Sequence, residues 1–508
     1  MADIFPKPTC PQAELLIKVG LEAQILVPAD ASYTVRQESY WSNTAKLKPA
    51  CIVRPRSAEE VSLIIQTLVA TSEKFAVRSG GHTQYAGGNN IEGGVTIDLG
   101  LLDWTKYDAA TETVDIGPGG RWGPVYAELK KHGRVVAGGR DGNVGVAGLL
   151  LGGGKTFFTA RRGFACDDAI AYEVVLASGG IVTADANNFD DLFRALKGGM
   201  NNFGIVTNFK MKAFKCDEVW AGLTYFPKQV IPGAIEALVD FTDNIPKDLD
   251  SNLLCFFTYV DVLFLPKMIS QPASGTLKQH FNAKQPEFKD TLVVTGYVQT
   301  AGIENAPAYE KWLALPSINT TCQMTSVSDV VNAYAVAPLG YYDTFLTACF
   351  KNDTRIVAKA SELHDRLVEE IKSFIPDGNF ITQCLFQPLS KIIGQRSAEA
   401  GGNIMGVERQ SENGLLFTIV IMVKTEEQET FVYPKAKAWL RGVQEFAATI
   451  DGKLDWIFMN YADPSQNPLA SYGIENVQKM KDVAAKYDAE EVFQKLCPGG
   501  FKISEVEI

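Results

Sequence analysis

The sequence contains no apolar run long enough to cross a membrane. Its longest uninterrupted apolar stretch, near 415–423, has about ten residues, whereas a membrane-spanning helix needs roughly 20. The segment Met1–Cys10 also lacks the basic and then apolar layout of a secretory signal. We therefore expect a cytoplasmic protein with no membrane partner.

No Cys-x-x-C motif occurs among the nine cysteines, and their number is odd. This pattern argues against a disulfide framework and against a zinc site, and it is typical of a reducing compartment. Basic clusters are absent too, and the formal net charge is -11. The cysteine pattern leads us to expect no metal ion. Because nucleic acids are bound by clustered Lys and Arg, we also expect no nucleic-acid partner.

The 508 residues exceed the size of one ordinary core, so two or more domains are expected. Short apolar segments and glycine turns fill the first part, and the composition changes near 210–217. Beyond that point, long helical patterns alternate with strands such as 292–299 and 415–423. We predict an α+β fold with three parts, which are residues 1–215 (core about 45–215), 216–453 and 454–508.

A β-α-β unit precedes the first chemically informative segment. The apolar residues 51–53 predict a strand, and Ser57 with Glu60 has the spacing of a helix capping box. Residues 75–78 predict a second strand, which runs directly into Ser79-Gly80-Gly81-His82. Glycines without side chains let backbone N–H groups wrap closely around a phosphate. A diphosphate cofactor would suit this loop, although a glycine turn followed by a packing histidine is the alternative.

Two further glycine clusters lie at 138–156 and 198–206. Gly154-Lys155-Thr156 looks like the end of an ATPase phosphate loop, but Leu149 stands where that motif needs glycine. No G-x-G-x-x-G segment opens a helix after a strand, so a nicotinamide-type site has no support. The clusters serve either as plain turns or as places where the backbone closely approaches a ligand.

Taken in order, the pieces resemble the FAD-binding domain of the vanillyl-alcohol oxidase superfamily, also called PCMH-type. Within it they are similar to the berberine-bridge-enzyme-like oxidases, in a fungal version. The matching pieces are R-S-G-G-H at 78–82, G-P-G at 117–119, V-G-V-A-G at 144–148, L-G-G-G at 151–154, N-F-G-I-V-T at 202–207 and N-Y-A-D at 460–463. The resemblance covers roughly 45–215 and 455–505, and it is looser between them.

The resemblance implies an FAD-binding domain in two parts, plus a substrate domain whose antiparallel sheet is covered by helices. In this family the histidine that matches His82 bonds to the flavin. Many members have a second tether through a cysteine, but Asp141 stands at that place, so we predict covalent FAD through His82 only. The expected cofactor-binding residues are Arg78, Ser79, Gly80, Gly81, His82, Thr83, Pro118, Gly119, Asp141, Gly142, Val144, Gly145, Gly148, Gly152, Ile205, Val206 and Asn460.

The resemblance further implies that Tyr461 is the general base while FAD accepts a hydride and dioxygen reoxidises the cofactor. Substrate contacts are expected from Gln387, Asn403 and Glu408, and residues 401–406 predict a bent strand near the pocket. Relatives accept sugars, phenolics, alkaloids and polyketides. We favour an oxidase of secondary metabolism with a small-molecule substrate. A flavin-dependent cyclase and a catalytically inactive binding protein are the alternatives.

Overall fold

A computed structural model of the chain describes residues 10–260, 290–334 and 338–507. In these ranges the fold has three main sheets and is α+β, which confirms the predicted fold class. None of the helices in this part of the chain is both long enough and apolar enough for a membrane span.

The first sheet contains the predicted β-α-β unit. Its strands follow the spatial order β1-β2-β4-β3, and β4 runs parallel to both β2 and β3. As predicted, the Ser57 side chain caps the helix between β2 and β3 by accepting from the Glu60 backbone N–H. The strands are β1 (Ile25–Leu26), β2 (Cys51–Val53), β3 (Phe75–Arg78) and β4 (Val95–Asp98).

The second sheet is antiparallel, in the order β5-β6-β10-β8-β9. It contains a hairpin around Ser178-Gly179-Gly180, whose two strands are β8 and β9. A separate pair, β7 with β11, lies at its end. The strands are β5 (Thr105–Asp108), β6 (Thr113–Ile116), β7 (Arg134–Val135), β8 (Ala169–Val175), β9 (Ile181–Asp185), β10 (Ile205–Lys212) and β11 (Phe214–Lys215).

The third sheet has nine strands among the described residues, and all their pairings are antiparallel. The order is β15-β12-β14-β13-β18-β19-β17-β20, with β16 beside β12. Its central strands are buried along most of their length, with one face under helices and the other at a cavity. The strands are β12 (Val219–Pro227), β13 (Ser251–Tyr259), β14 (Thr291–Gln299), β15 (Asn319–Thr320), β16 (Gln323–Thr325), β17 (Tyr342–Lys351), β18 (Ile381–Leu389), β19 (Gly414–Val423) and β20 (Lys453–Leu454).

Three long helices, Ile231–Asn244, Thr354–Phe374 and Glu426–Thr449, cover one face of the third sheet and share a core with it. Residues 460–472 form a loop that includes a short helix at Pro468–Ser471, which proline at its first position favours. The other helices are Pro11–Lys18, Ala31–Glu38, Ala58–Ala70, Trp122–Lys130, Val146–Leu151, Thr159–Arg162, Asp190–Leu196, Glu310–Leu313, Val327–Ala333, Ile392–Glu399, Ile474–Tyr487 and Val492–Lys495.

The C-terminal segment leaves the third sheet after β20 and returns to the first half of the chain. Val492 and Phe493 belong to the same core as the first sheet, and the Phe493 ring meets the Phe75 ring edge-on at 6.1 Å. Consequently the 460–463 segment lies between the glycine-rich half and the third sheet, where a large cavity opens.

Candidate active site

The loop after β3 is shaped by contacts that only glycine permits. A Cβ atom on Gly80 would lie 2.5 Å from the Cα atom of Gly145, so the first two glycine clusters touch through their backbones. Gly81 has a φ of +66°, a conformation that L side chains rarely adopt. The Ser79 hydroxyl donates to the Pro118 carbonyl, which joins the G-P-G segment at 117–119 to the same loop.

Arg78 holds this loop from behind. Its guanidinium is fully buried, lies 3.7 Å from the centre of the Tyr40 ring, and donates to the Arg36 carbonyl and the Ser39 hydroxyl. Arg78 is not among the residues that line the cavity. The sequence placed it in the cofactor-binding set, and the structure instead gives it contacts that support the loop.

His82 lines the cavity beside a tryptophan. Its ring stacks on Trp41 with 4.5 Å between ring centroids and 9° between planes. Within the described residues its Nε2 atom has no hydrogen-bond partner although it is buried. Burial and the nearby Arg121 guanidinium lower the pKa of His82 to about 4. The imidazole is therefore neutral near pH 7, the form in which a ring nitrogen is nucleophilic.

Arg121 and Asp141 connect the two glycine loops. Arg121 donates to the Gly80 carbonyl at 2.6 Å and to the Asn143 carbonyl. The Asp141 carboxylate accepts from the Asn143 backbone N–H at 2.7 Å, and burial raises its pKa to about 6. Asp141 also lines the cavity, and its carboxyl group cannot form the thioether that a cysteine would allow.

The predicted cofactor residues fall into two groups. One group lines the cavity, namely Ser79, Gly80, Gly81, His82, Thr83, Asp141, Val144, Gly145, Gly148, Ile205, Val206 and Asn460. The other is packed behind it, namely Arg78, Pro118, Gly119, Gly142 and Gly152. A Cβ atom would meet the Leu99 carbonyl at Gly119, the Asn332 side chain at Gly142 and the Asn460 amide at Gly152. At these three positions the absence of a Cβ atom lets the loops pack closely.

Tyr461 is anchored to the second glycine cluster by its neighbour. The Asn460 side chain accepts from the Gly154 N–H at 3.0 Å and donates to the Gly148 carbonyl at 2.9 Å. Gln84, two residues after His82, donates to the Ala462 carbonyl at 3.1 Å. These bonds bring Tyr461 and His82 to the same cavity from distant parts of the chain.

Two basic side chains at the cavity, Arg140 and Lys155, are not among the site residues predicted from the sequence. Arg140 donates through Nη2 to Gln387 Oε1 at 2.6 Å and to the Tyr461 hydroxyl at 3.3 Å. Lys155 donates to the Pro388 carbonyl at 2.6 Å, and burial with the nearby Arg140 charge lowers its pKa to about 7. Both residues lie in the second glycine cluster, whose glycines predict a backbone site for phosphate rather than a pair of cations.

The three predicted substrate residues separate in the structure. Gln387, on β18, lines the cavity. Asn403 is buried elsewhere, donating to the Asp167 carboxylate and accepting from the Met405 N–H. Glu408 is exposed. Neither Asn403 nor Glu408 belongs to the cavity lining within the described ranges. The prediction of a bent strand at 401–406 is wrong, because this segment forms turns in which the Asn403 side chain bonds to Asp167.

The cavity has a volume of about 480 Å³, and one wall is the face of the third sheet that carries no helices. That wall is mostly apolar, with a few amide and hydroxyl groups. Its residues include Leu223, Tyr225, Leu254, Phe256, Thr258, Leu292, Val294, Gln383, Leu385, Gln387, Thr418, Val420 and Met422.

The residues present fit a flavin dinucleotide. Gly80, Gly81 and Gly145 line the cavity in the type of glycine loop that binds a diphosphate, and His82 offers an unpartnered ring nitrogen at the same cavity. No group of three or more His, Cys, Asp or Glu side chains suited to a metal ion occurs in the described part of the chain. The site is thus one of cofactor-binding loops facing an apolar chamber, as in a flavoprotein.

Comparisons with known proteins agree with this class. Residues 49–185 match the family model described as an FAD binding domain. An FAD-dependent monooxygenase of Aspergillus calidoustus is 35% identical over 96% of this chain and 88% of its own length. The chain therefore belongs to the berberine-bridge-enzyme-like family with a PCMH-type FAD-binding domain, and it is an FAD-linked oxidoreductase.

Solved structures share the fold at lower identity. The 6-hydroxy-D-nicotine oxidase of Arthrobacter nicotinovorans gives a TM-score of 0.72 at 20% identity, covering 92% of this chain and 96% of that one. A berberine-bridge-like protein of Physcomitrella patens gives a TM-score of 0.71 at 17% identity, covering 95% and 98%. The predicted family is thereby confirmed in sequence and in fold.

Proposed function

We propose that the chain is an FAD-dependent oxidase of fungal secondary metabolism that acts on a small, largely apolar substrate with dioxygen as acceptor. The observation that carries the proposal is that His82 and Tyr461 line one cavity whose opposite wall is apolar. FAD, when bound, supplies the hydride acceptor. The chain's own residues supply the tether, the base and the positioning of the substrate.

His82 is the proposed single tether. A neutral imidazole with a free ring nitrogen is the form able to bond to an electrophilic carbon of the cofactor. Trp41 fixes the plane of that ring by stacking. Asp141 occupies the place of the second tether and contributes a carboxyl group rather than a thiol.

Tyr461 is the proposed base. Its hydroxyl oxygen accepts from Arg140, and its ring packs edge-on against Phe458 at 5.1 Å between centroids. A guanidinium that donates to the phenol oxygen stabilises negative charge on that oxygen. The arrangement holds Tyr461 in one orientation, in which it can take a proton from a bound substrate.

The sheet wall favours an apolar substrate over a sugar. Leu254, Phe256, Leu292 and Val294 present hydrocarbon surface to the cavity. Burying unpaired sugar hydroxyls against such a wall would be unfavourable, whereas a hydrocarbon or aromatic body gains from the same burial. This is the basis for proposing an aromatic or polyketide-like substrate.

The test is a screen of apolar hydroxyl compounds with the FAD-loaded protein under anaerobic conditions, followed by ¹⁸O₂. We expect loss of the visible flavin absorbance on substrate addition, then one peroxide per product and no label in the product. Label in the product would instead make the protein a monooxygenase, as its Aspergillus relative is named. An isomeric ring product formed without oxygen uptake would support the cyclase alternative.

A further inference from the structure

Arg140 and Lys155 place two basic side chains at the cavity, next to its mostly apolar sheet wall. The Lys155 side chain is 5% exposed, and the Nη1 atom of Arg140 is buried without a partner in the described part of the chain. Their hydrogen bonds go to neutral oxygens, those of Gln387, Pro388 and Tyr461. Neither cation forms an ion pair among the described residues. Buried charges are normally paired, so a counter-charge is missing from the protein itself.

The acidic group at this cavity does not supply that counter-charge. Asp141 is the one carboxylate among the cavity-lining residues that the structure describes. Its carboxylate is bonded to the Asn143 N–H and lies in the field of Arg121. Burial also raises its pKa to about 6, which weakens its charge near neutral pH.

The two cations lie on the side of the third sheet. Arg140 contacts Gln387 and Lys155 contacts Pro388, two consecutive residues of β18. The Lys155 ammonium is also near Cys349 of β17, whose thiol stays protonated because burial raises its pKa. The phosphate-type loop at 79–83 is served by a different arginine, Arg121. Both cations therefore lie at the sheet side of the cavity, and Arg140 also contacts Tyr461, the proposed base.

We propose that Arg140 and Lys155 form a binding site for an anionic oxygen group of the substrate, a carboxylate or an acidic enolate, while the apolar wall holds its hydrocarbon body. This inference rests on the proposed function, because it names the substrate class of the same cavity. The Arg140 Nη1 atom donates to the anion, and its Nη2 atom keeps Gln387 and Tyr461 in place.

The experiment compares octanoate with octanamide as ligands of the FAD-loaded protein, by calorimetry and by perturbation of the flavin spectrum. The two probes have the same length and differ in charge. We expect octanoate to bind roughly 10- to 100-fold more tightly, the range for hydrogen bonds to charged groups. Arg140→Gln abolishes this preference, whereas Arg366→Gln, at an exposed helix position, keeps it.

The pH dependence provides a second readout. Lys155 is charged below about pH 7 and neutral above it, so the octanoate preference falls severalfold between pH 6 and 8. Asp141, with a pKa of about 6, gains negative charge over the lower part of this range and acts in the same direction. Lys155→Met removes the decline centred near pH 7, and Asp141→Asn leaves that decline in place.

Equal binding of the two probes by the unmodified protein would overturn the inference, as would an Arg140→Gln protein that keeps the octanoate preference. An Arg140→Gln protein that loses FAD while its preference persists would assign the arginine to the cofactor, which also overturns it. No turnover is needed for these measurements. An octanoate preference together with no peroxide in the substrate screen would reject the proposed oxidase and retain the anion site. Peroxide in that screen together with equal binding of the two probes would retain the oxidase and reject the anion site.

Discussion

The two faces of the third sheet use the same strands for different purposes. Along β13, alternate residues point to opposite faces. One set packs under the helices, namely Leu253, Cys255, Phe257 and Tyr259, and the other lines the cavity, namely Leu254, Phe256, Thr258 and Val260. Both sets are mostly apolar, so hydrophobicity does not distinguish a core face from a binding face. What distinguishes them is whether a neighbouring element covers them.

Two histidines that stack on tryptophan rings support the same distinction. His364, on the helix-covered side, stacks on Trp439 at 5.1 Å, and its Nε2 atom is 2.7 Å from the Thr382 hydroxyl. His82 stacks on Trp41 and has an unpartnered Nε2 atom at the cavity. Burial lowers the pKa of both, to about 3 for His364 and about 4 for His82. A neutral histidine becomes a functional candidate through its access to a cavity.

The largest expected effect is the loss of covalent flavin in His82→Ala. This substitution removes the only nitrogen nucleophile proposed for the tether, so acid precipitation should leave no flavin in the protein pellet. His364→Ala is the matched control and should keep the flavin in the pellet. Covalent flavin in the His82→Ala protein would contradict the assignment of the tether.

Tyr461→Phe should lower kcat by about 10²- to 10⁴-fold, the usual contribution of a positioned acid or base. Steady-state oxygen uptake with a substrate from the anaerobic screen measures this effect. Tyr433→Phe is the control, because Tyr433 donates to Asp463 on the same segment and does not line the cavity. A Tyr461→Phe protein with the original kcat would remove Tyr461 from the mechanism.

Phe417 and Val420 test the two faces of β19 directly. Phe417 packs against Phe386 and Trp439 under the helices, so Phe417→Ala should cost about 3–5 kcal/mol of unfolding free energy. Val420 faces the cavity, and Val420→Ala should cost less than about 1.5 kcal/mol while changing ligand affinity. Denaturant unfolding and octanoate titration measure the two effects. Similar losses of stability at both positions would contradict the distinction between the faces.

The smallest expected effect concerns acid stability. The pKa of His364 lies below its unfolded value, so the unfolded state binds more protons between about pH 3 and 6.5 and stability falls as the pH drops through that window. At pH 5 the loss from this residue is about 2 kcal/mol. His364→Asn should reduce the difference in unfolding free energy between pH 7 and pH 5 by that amount. An unchanged difference would show that His364 does not titrate as described.

The first half of the site could be predicted from the sequence because its determinants are local. Glycines that must approach a backbone or adopt a positive φ leave a direct mark, as at Gly80, Gly81 and Gly145. His82 follows immediately in the chain. The same reasoning included Arg78 with the ligand contacts, since sequence order does not show which side of a loop a side chain takes.

The substrate side was harder to predict because its contacts join distant segments. Trp41 reaches His82 across 41 positions of the chain, and Arg140 reaches Tyr461 across 321. No periodicity marks such pairs. Gln387 was identified as a substrate candidate and does line the cavity, whereas the bend at 401–406 directed Asn403 toward Asp167. Lys155 follows three glycines directly, but that pattern is typical of an ATPase loop and does not indicate a substrate contact.

The most direct test of the central claim is to digest the denatured, FAD-loaded protein and map the flavin by mass spectrometry. We expect one flavin per chain, attached to the peptide that contains His82, and none on the peptide that contains Asp141. Flavin released into solution, or attached to any other residue, would contradict a single tether through His82.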